Sequence, residues 1–300
     1  MQLTTNTDSL RVYEALASEV RLKIIDKLFE KESHVKELAG ELYLSSAVVS
    51  GHIRKLEEAG IVGSRMVRVE GGTYKMCYIR TEYMQVKLSP ASPETLSFHE
   101  LSLPIGQYTD YEAWPTCGLA TIQSVIGQYD NPACFMDPKR VDAGILWFAK
   151  GWVEYKIPNY LHNDEALHEI EISLELGSEA PRFNENWPSD IRFWLNGELL
   201  GVWTSPGDFG KKRGQLTPEW WHADVNQYGL LKVLRIKKDG TYVDGQKISG
   251  IGLGDIDTGA MKWTFRIAAE DQGRRRGGLT LYGKGFGNYN QDIMVRMYYV

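Results

Sequence analysis

The sequence predicts an α+β protein of two domains: an N-terminal winged helix-turn-helix and a C-terminal antiparallel β-sandwich, best matched by a jelly roll. Three observations carry this reading. Apolar residues recur at helical spacing early in the chain and alternate at strand spacing in its second half. All nine tryptophans follow residue 113. Between the two regimes lies Leu88-Ser89-Pro90-Ala91-Ser92-Pro93, a proline-punctuated stretch that reads as a linker. The expected domains are therefore 1–88 and 89–300, within a chain of 300 residues.

The helical part is read in order. Leu16, Val20, Ile24 and Leu28 recur at i+4, with Leu22 and Ile25 beside them, and predict one buried helix. Val35, Leu38, Ala39 and Leu42 form one face of a second helix over Val35–Leu42. Leu44-Ser45-Ser46 supplies a turn and an N-cap. A third helix over Ser46–Ala59 buries Val49, Ile53 and Leu56, and Gly60 stops it. Ser64–Ile79 reads as a hairpin around Gly71-Gly72. Helix, short helix, tight turn, helix and hairpin is the order of a winged helix-turn-helix.

That order predicts a DNA contact surface. The helix after the turn offers Ser45, Ser46, Ala47, Val48, Ser50 and Gly51 to base edges in the major groove. His52, Arg54 and Lys55 suit the phosphates, as do Arg65, Arg68 and Lys75 of the wing. Pairing across Gly71-Gly72 would set Arg68 opposite Lys75, a repulsive pair that a phosphate would relieve. The competing reading is a helical oligomerisation module.

The rest of the chain is predicted as strands. In 168–176, His168, Ile170, Ile172, Leu174 and Leu176 point one way; Glu169, Glu171, Ser173 and Glu175 point to a wet face. Further strands are expected near 145–149, 152–157, 190–195, 199–204, 231–238, 241–248, 262–269, 279–284 and 292–299. Asn196-Gly197 and Asp239-Gly240 read as two-residue hairpin turns.

The N-terminal motifs resemble the ArsR family of bacterial winged-helix regulators. The resemblance rests on residues 12–25 (VYEALASEVRLKII) and 44–62 (LSSAVVSGHIRKLEEAGIV). It implies a homodimer on a two-fold operator of double-stranded DNA. Two departures are visible. Residues 33–39, before the turn, hold no cysteine of the kind metal-sensing members carry. The chain also continues for about two hundred residues past the wing, which assigns sensing to the second domain.

The second half resembles regulators that join such a head to a galactose-binding-like jelly roll. The residues that carry this are 179–181, 186–191, 194–197, 201–210 and 283–287. The ligand so implied is a carbohydrate or a product of its breakdown. The residues point the same way by themselves. Asn186, Trp187, Asp190, Arg192, Trp194, Trp203, Asp208, Arg213, Trp220, Trp221 and His222 combine flat aromatic faces with planar polar groups. Indole faces stack on sugar C–H surfaces while the polar groups bond hydroxyls, the general pattern of an effector pocket. Core anchoring is the plain alternative for any one tryptophan. A carbohydrate-active module with an accessory helical head is the rival function.

Several features are discounted. Gly250-Ile251-Gly252-Leu253-Gly254 lacks nucleotide-loop spacing. Arg274-Arg275-Arg276 reads as a solvated hairpin tip. Glu169, Glu171 and Glu175 share one strand and make a poor hydrolytic pair. Cys77, Cys117 and Cys134 make neither a disulfide framework nor a zinc site, so no metal, cofactor or catalytic residue is expected. There is no run of about 18 apolar residues and no leader pattern, so a cytoplasmic protein is expected. The formal net charge of −5 is unevenly placed. Residues 1–90 hold 13 basic and 12 acidic residues, and residues 45–80 alone are +3. The acidity belongs to the sheet domain and does not count against DNA binding by the head.

Overall fold

A computed structural model describes residues 1–69, 72–87, 96–270 and 274–300. The chain divides into two compact units, Met1–Thr95 and Leu96–Val300. The expected linker at 88–93 and Gly71 of the expected turn lie outside the described residues.

The first unit runs β1 (Gln2–Thr4), α1 (Leu10–Leu16), α2 (Glu19–Glu30), β2 (Ser33–His34), α3 (Val35–Glu41), α4 (Ser46–Glu58), β3 (Val62–Val69), β4 (Gly72–Ile79) and β5 (Gln85–Lys87). Strands β2, β4 and β3 form the winged sheet, and β1 pairs in parallel with β5. Ile24, Leu28, Leu38, Val49, Ile53, Leu56, Val62 and Cys77 make its core. Burial of this kind is worth about 1.5–3 kcal/mol per large side chain.

The single helix expected over Leu16–Leu28 is two helices. Ser18 is extended, at φ −159° and ψ 121°. Arg21 folds back and donates from Nε to Ala15 O at 2.6 Å and from Nη2 to Glu14 O at 2.7 Å. A buried guanidinium thus serves the open carbonyls at the C-terminus of α1. The i+4 pattern spanned this break because both helices bury one side. Leu22 is 46% exposed and does not join the core.

The second unit is an antiparallel β-sandwich of the jelly-roll type. Its strands are β6 (Ser97–Leu103), β7 (Asp110–Ala120), β8 (Ile145–Pro158), β9 (Leu167–Gly177), β10 (Ser189–Leu195), β11 (Glu198–Ser205), β12 (Leu230–Lys237), β13 (Gly240–Val243), β14 (Gln246–Ser249), β15 (Lys262–Ala269), β16 (Leu279–Tyr282) and β17 (Ile293–Tyr299). One layer has the order β7-β8-β15-β10-β11; the other has β6-β17-β9-β12-β13-β14. Strand β16 is buried throughout and pairs with β8 and β9, which joins the layers. Ile172, Phe193, Trp263, Phe265, Leu281 and Val295 lie in the shared core.

The strand expectations need five corrections. Residues 145–149 and 152–157 are one strand, β8, in which Gly151 at φ +140° accommodates a close approach of Glu112. Residues 241–248 are a hairpin, β13 and β14, turning at Asp244 and Gly245 with φ 50° and 84°. The turn before it is Lys238-Asp239, because Lys237 pairs with Gly240. Strands β6 and β7 carry few apolar residues at period two and were not expected. The fifth concerns β9, whose expected wet face is largely buried.

Register explains that last point. Glu171 lies opposite Arg235 of β12 and Arg296 of β17, and Arg296 lies opposite Glu100 of β6. The resulting row alternates in charge over four strands, with contacts of 2.6, 3.1 and 2.6 Å. Glu175 is fully buried and accepts N–H bonds from Gly229, Asn288 and Tyr289. A central strand has neighbours on both edges, so its outward side chains are covered by theirs.

Candidate nucleic-acid interface and ligand-binding face

The interface in the first unit is built on α4. Ser45 caps it, its hydroxyl accepting from Val48 N at 3.3 Å. Val49, Ile53 and Leu56 are buried, which turns the opposite face outward. Ser45, Ser46, Ala47, Val48, Ser50, Gly51, Arg54 and Lys55 are all exposed. A Cβ at Gly51 would meet nothing within 4 Å, so the helix is bare there. Among the described residues Arg54 has only an exposed i+4 ion-pair partner, Glu58 at 3.7 Å. Desolvation, then the charges of Arg21 and Lys55, holds His52 below its ordinary pKa and favours a neutral ring.

One exposed residue beside this face was not among the sequence candidates. Tyr43 is 95% exposed and sits in the turn before α4 at φ 55°. Leu44 N donates to Ala39 O and Tyr43 N to Gly40 O, so Tyr43 occupies the left-handed position of a Schellman stop. Its only sequence signal was a bulky aromatic where glycine is usual.

The wing differs from expectation in its register. Arg68 pairs with Thr73, and Lys75 pairs with Met66. Arg68 therefore pairs two residues away from its expected partner, Lys75. Arg68 and Lys75 are diagonal neighbours on one face, not direct opposites. Lys75 is held by Glu57 at 2.8 Å. Arg65 points to the other face, where it meets Glu32 and the Tyr78 ring. Arg68 is exposed and has no ion pair among the described residues. His34 is the N-cap of α3, its Nδ1 accepting from Glu37 N at 3.1 Å, and it stacks on Tyr74.

The structure separates the eleven candidate effector contacts into four places. Asp190, Arg192 and Trp194 share the outward face of β10, as Ile191, Phe193 and Leu195 take the core. Trp203 is opposite Ile191 and packs on the core side, with Lys232 Nζ 5.1 Å from its ring centre. Asn186 and Trp187 lie exposed in the loop before β10. Asp208, Arg213, Trp220, Trp221 and His222 belong to the long segment between β11 and β12.

In that segment most of the candidates hold the fold. Trp221 is buried between Trp147, Trp220 and Phe286, and its Nε1 donates to Asn226 O at 2.8 Å. Arg213 donates to Pro218 O at 2.6 Å and to Trp221 O at 3.0 Å. Asp208 is 1% exposed; its Oδ2 accepts from Ala180 N, and its Oδ1 has no partner among the described residues. Burial pushes its carboxyl up to about 8. Burial and the neighbouring Asp208 also push Glu179 well above the carboxylate range, against its bonds from Thr116 and Thr280. Trp220 and His222 remain exposed.

The outward face around Arg192 and Trp194 is larger than expected. Cross-strand register runs Arg192, Ala268, Trp152, Glu112 in one row and Trp194, Arg266, Glu154, Asp110 in the next. Trp114 lies opposite Lys150 one step further along β7. Glu112 accepts the indole N–H of Trp114 at 2.7 Å and of Trp152 at 3.2 Å. Arg266 lies 4.0 Å over the Trp152 ring and bonds Glu154 at 2.9 Å. Arg192 Nη1 has no partner among the described residues. Three indoles, two guanidinia and three carboxylates thus meet on one face. Strand β7, which carries Trp114 and Glu112, supplied too weak an alternation to be read.

Comparison with known proteins places the first unit. Residues 18–64 match the family described as bacterial regulatory protein, arsR family. An uncharacterized HTH-type transcriptional regulator of Methanocaldococcus jannaschii is 41% identical over 76 residues, covering 25% of this chain and 79% of that protein. The homodimeric winged helix-turn-helix DNA-binding domain Mb0332 of Mycobacterium bovis is 29% identical over 25% of this chain and 67% of its own, with a TM-score of 0.23. The CBM36-1 domain of a multidomain xylanase from the Trinervitermes trinervoides hindgut metagenome aligns with 67% of this chain and 96% of its own, at 8% identity and a TM-score of 0.28.

Proposed function

Because the chain belongs, through its first unit, to the arsR family of bacterial regulatory proteins, we propose that it is a DNA-binding transcriptional regulator whose β-sandwich takes a carbohydrate effector. It acts on double-stranded operator DNA as a homodimer, in the cytoplasm. No helix among the described residues is long and apolar enough to cross a membrane.

The DNA reading is carried by the exposed face of α4. Small side chains from Ser46 to Gly51 let the helix approach base edges, and Arg54, Lys55 and Arg68 meet phosphates. In a dimer two such helices read half-sites about 34 Å apart, one turn of the duplex. An effector that favours one dimer arrangement changes that spacing. Moving DNA from mostly bound to mostly free takes about 5.5 kcal/mol of differential affinity.

The sugar reading is carried by one observation: Trp114, Trp152 and Trp194 share a face with Glu112, Glu154, Arg192 and Arg266. Trp114 and Trp152 are fixed through their N–H groups, and Arg266 covers one face of the Trp152 ring, so the flat apolar surface left for a sugar lies next to planar donors and acceptors. Catalysis is not expected. Glu169 and Glu171 are ion-paired and Glu175 is held by backbone N–H groups, so that strand offers no free acid and base.

A gel shift with the gene's own upstream DNA tests the first half. Salt-sensitive binding is expected, and no binding at low salt would sink it. Thermal shift against a sugar panel tests the second half: stabilisation of the wild type, lost in Trp152→Ala, supports it. Release of dye from chromogenic glycosides would replace the effector reading with a hydrolase.

A further inference from the structure

The geometry points to a divalent transition-metal site of the zinc class at His99, His162 and Glu165, in the β-sandwich and apart from the face above. The three residues each bring one ligand atom, and these atoms lie within 4.8 Å of one another. Their sources are far apart in sequence. His99 is in β6; His162 and Glu165 are in the connection between β8 and β9.

The site is held in place by its surroundings. His99 Nε2 lies 2.8 Å from Glu165 Oε2, and the same oxygen accepts from His162 N at 2.9 Å. The His99 ring stacks on Tyr299 with centres 4.8 Å apart, and the His162 ring meets it edge-on at 5.8 Å. Tyr299 also hydrogen-bonds Glu165. The connection is tied down at both ends. Asn159 Nδ2 donates to Thr258 O and Ala260 O at 3.1 Å, and Ala166 and Val300 exchange backbone bonds at 3.1 Å. Few residues need to move for the donors to converge.

The donor set selects the metal. Two imidazoles and one carboxylate suit zinc and its transition-metal neighbours, whereas calcium and magnesium take oxygen donors. Tetrahedral zinc at about 2.0–2.1 Å from each donor leaves one position for water. The ion takes the Nε2 lone pair of the Nδ1–H tautomer of His99 and a Glu165 oxygen in place of the contact between them. His162 is exposed, so the ion has a path in. A bound ion would clip β6, the first strand of this unit, to the 159–166 connection.

The test uses the tag-free full-length protein, stripped with a chelator and titrated with Zn²⁺ against a chromophoric indicator, with Ca²⁺ as the control ion. One tight Zn²⁺ per chain is expected, with no competition from Ca²⁺. His162→Ala should weaken that step at least tenfold while circular dichroism and melting of the metal-free protein stay unchanged. Glu165→Gln should weaken it as well. Absence of a one-to-one step, or a step that His162→Ala leaves intact, overturns the proposal. The outcome is independent of sugar or DNA binding.

Discussion

Tyr43 occupies after α3 the same backbone position that Gly60 occupies after α4. Both have positive φ, 55° and 71°, and both helices close with the same pair of crossed N–H bonds. A side chain in that conformation costs about 1–2 kcal/mol, which glycine avoids. Strain kept at an exposed position is a pointer to use. Tyr43→Gly should therefore raise the stability of the first unit by about 0.5–1 kcal/mol, after the greater entropy of unfolded glycine is deducted. It should also weaken operator binding about five- to tenfold, near 1 kcal/mol. Denaturant melts and gel shifts on the same preparation check both. A gain in stability with unchanged DNA affinity would make Tyr43 a plain structural oddity.

The wing offers three cations, and the register ranks them. Lys75 is held by Glu57 and Arg65 by Glu32, while Arg68 has no ion pair among the described residues. Each phosphate contact contributes about 0.9 to the slope of log K against log salt. Arg68→Ala should lower that slope by about one. Lys75→Ala should lower it by much less, since its charge is already opposed within the fold. Binding isotherms at four salt concentrations separate the two. Slopes unchanged from the wild type in both variants would put the wing away from DNA.

Much of this was legible in the chain, and what was not has a common physical cause. The N-cap Ser45, the stop at Gly60 and the buried Val49, Ile53 and Leu56 follow from local chemistry, and the structure keeps them. The Asn196-Gly197 turn was legible for the same reason, as both residues have positive φ. The wing register was not legible, because two pairings that differ by two residues put the same side chains on the same face. The buried Glu171 and Glu175 were not legible either. Alternation tells which residues share a face but not whether a neighbouring strand covers that face. The same limit applies to Trp203 and Trp221, whose composition suggested a ligand and whose positions put them on the core. Trp114, Trp152 and Glu112 come together only through the pairing of β7 with β8, from opposite sides of a 24-residue connection.

Asp208 and Glu179 make stability depend on pH. Burial raises the Asp208 carboxyl from the usual range near 4 to about 8, and Glu179 is shifted in the same direction. A raised acid favours the folded state fully at pH below its unfolded value. That contribution is lost as pH rises through the folded value. The second unit should therefore melt higher at pH 5 than at pH 9, with Asp208 losing up to about 1.4 kcal/mol per pH unit across the window from about 4 to about 8 and Glu179 acting in the same direction. Asn at 208 keeps an acceptor for Ala180 N but cannot ionise. Asp208→Asn should flatten the pH profile of the melting temperature. A wild-type profile already flat between pH 5 and 9 would show that both carboxyls ionise freely.

Glu112 ties the ligand face together, since its two oxygens each accept one indole N–H, from Trp114 and from Trp152. Glutamine at 112 has one acceptor oxygen and a donor amide, so it can hold only one of the two rings. Glu112→Gln should therefore weaken sugar binding modestly, and Trp152→Ala should weaken it more. Neither should cost more than about 1 kcal/mol of stability, as exposed or half-exposed groups away from the core rarely do. Trp221→Ala should behave in the opposite way. It removes a ring 3% exposed that packs on Trp147 and Phe286, so a loss of about 3–5 kcal/mol is expected. Calorimetric titration with the sugar that stabilises the wild type, beside thermal melts of all three variants, separates the two roles. If Trp221→Ala lost sugar binding while melting like the wild type, the ligand would belong to the segment between β11 and β12, not to the outward face of β7, β8, β15 and β10.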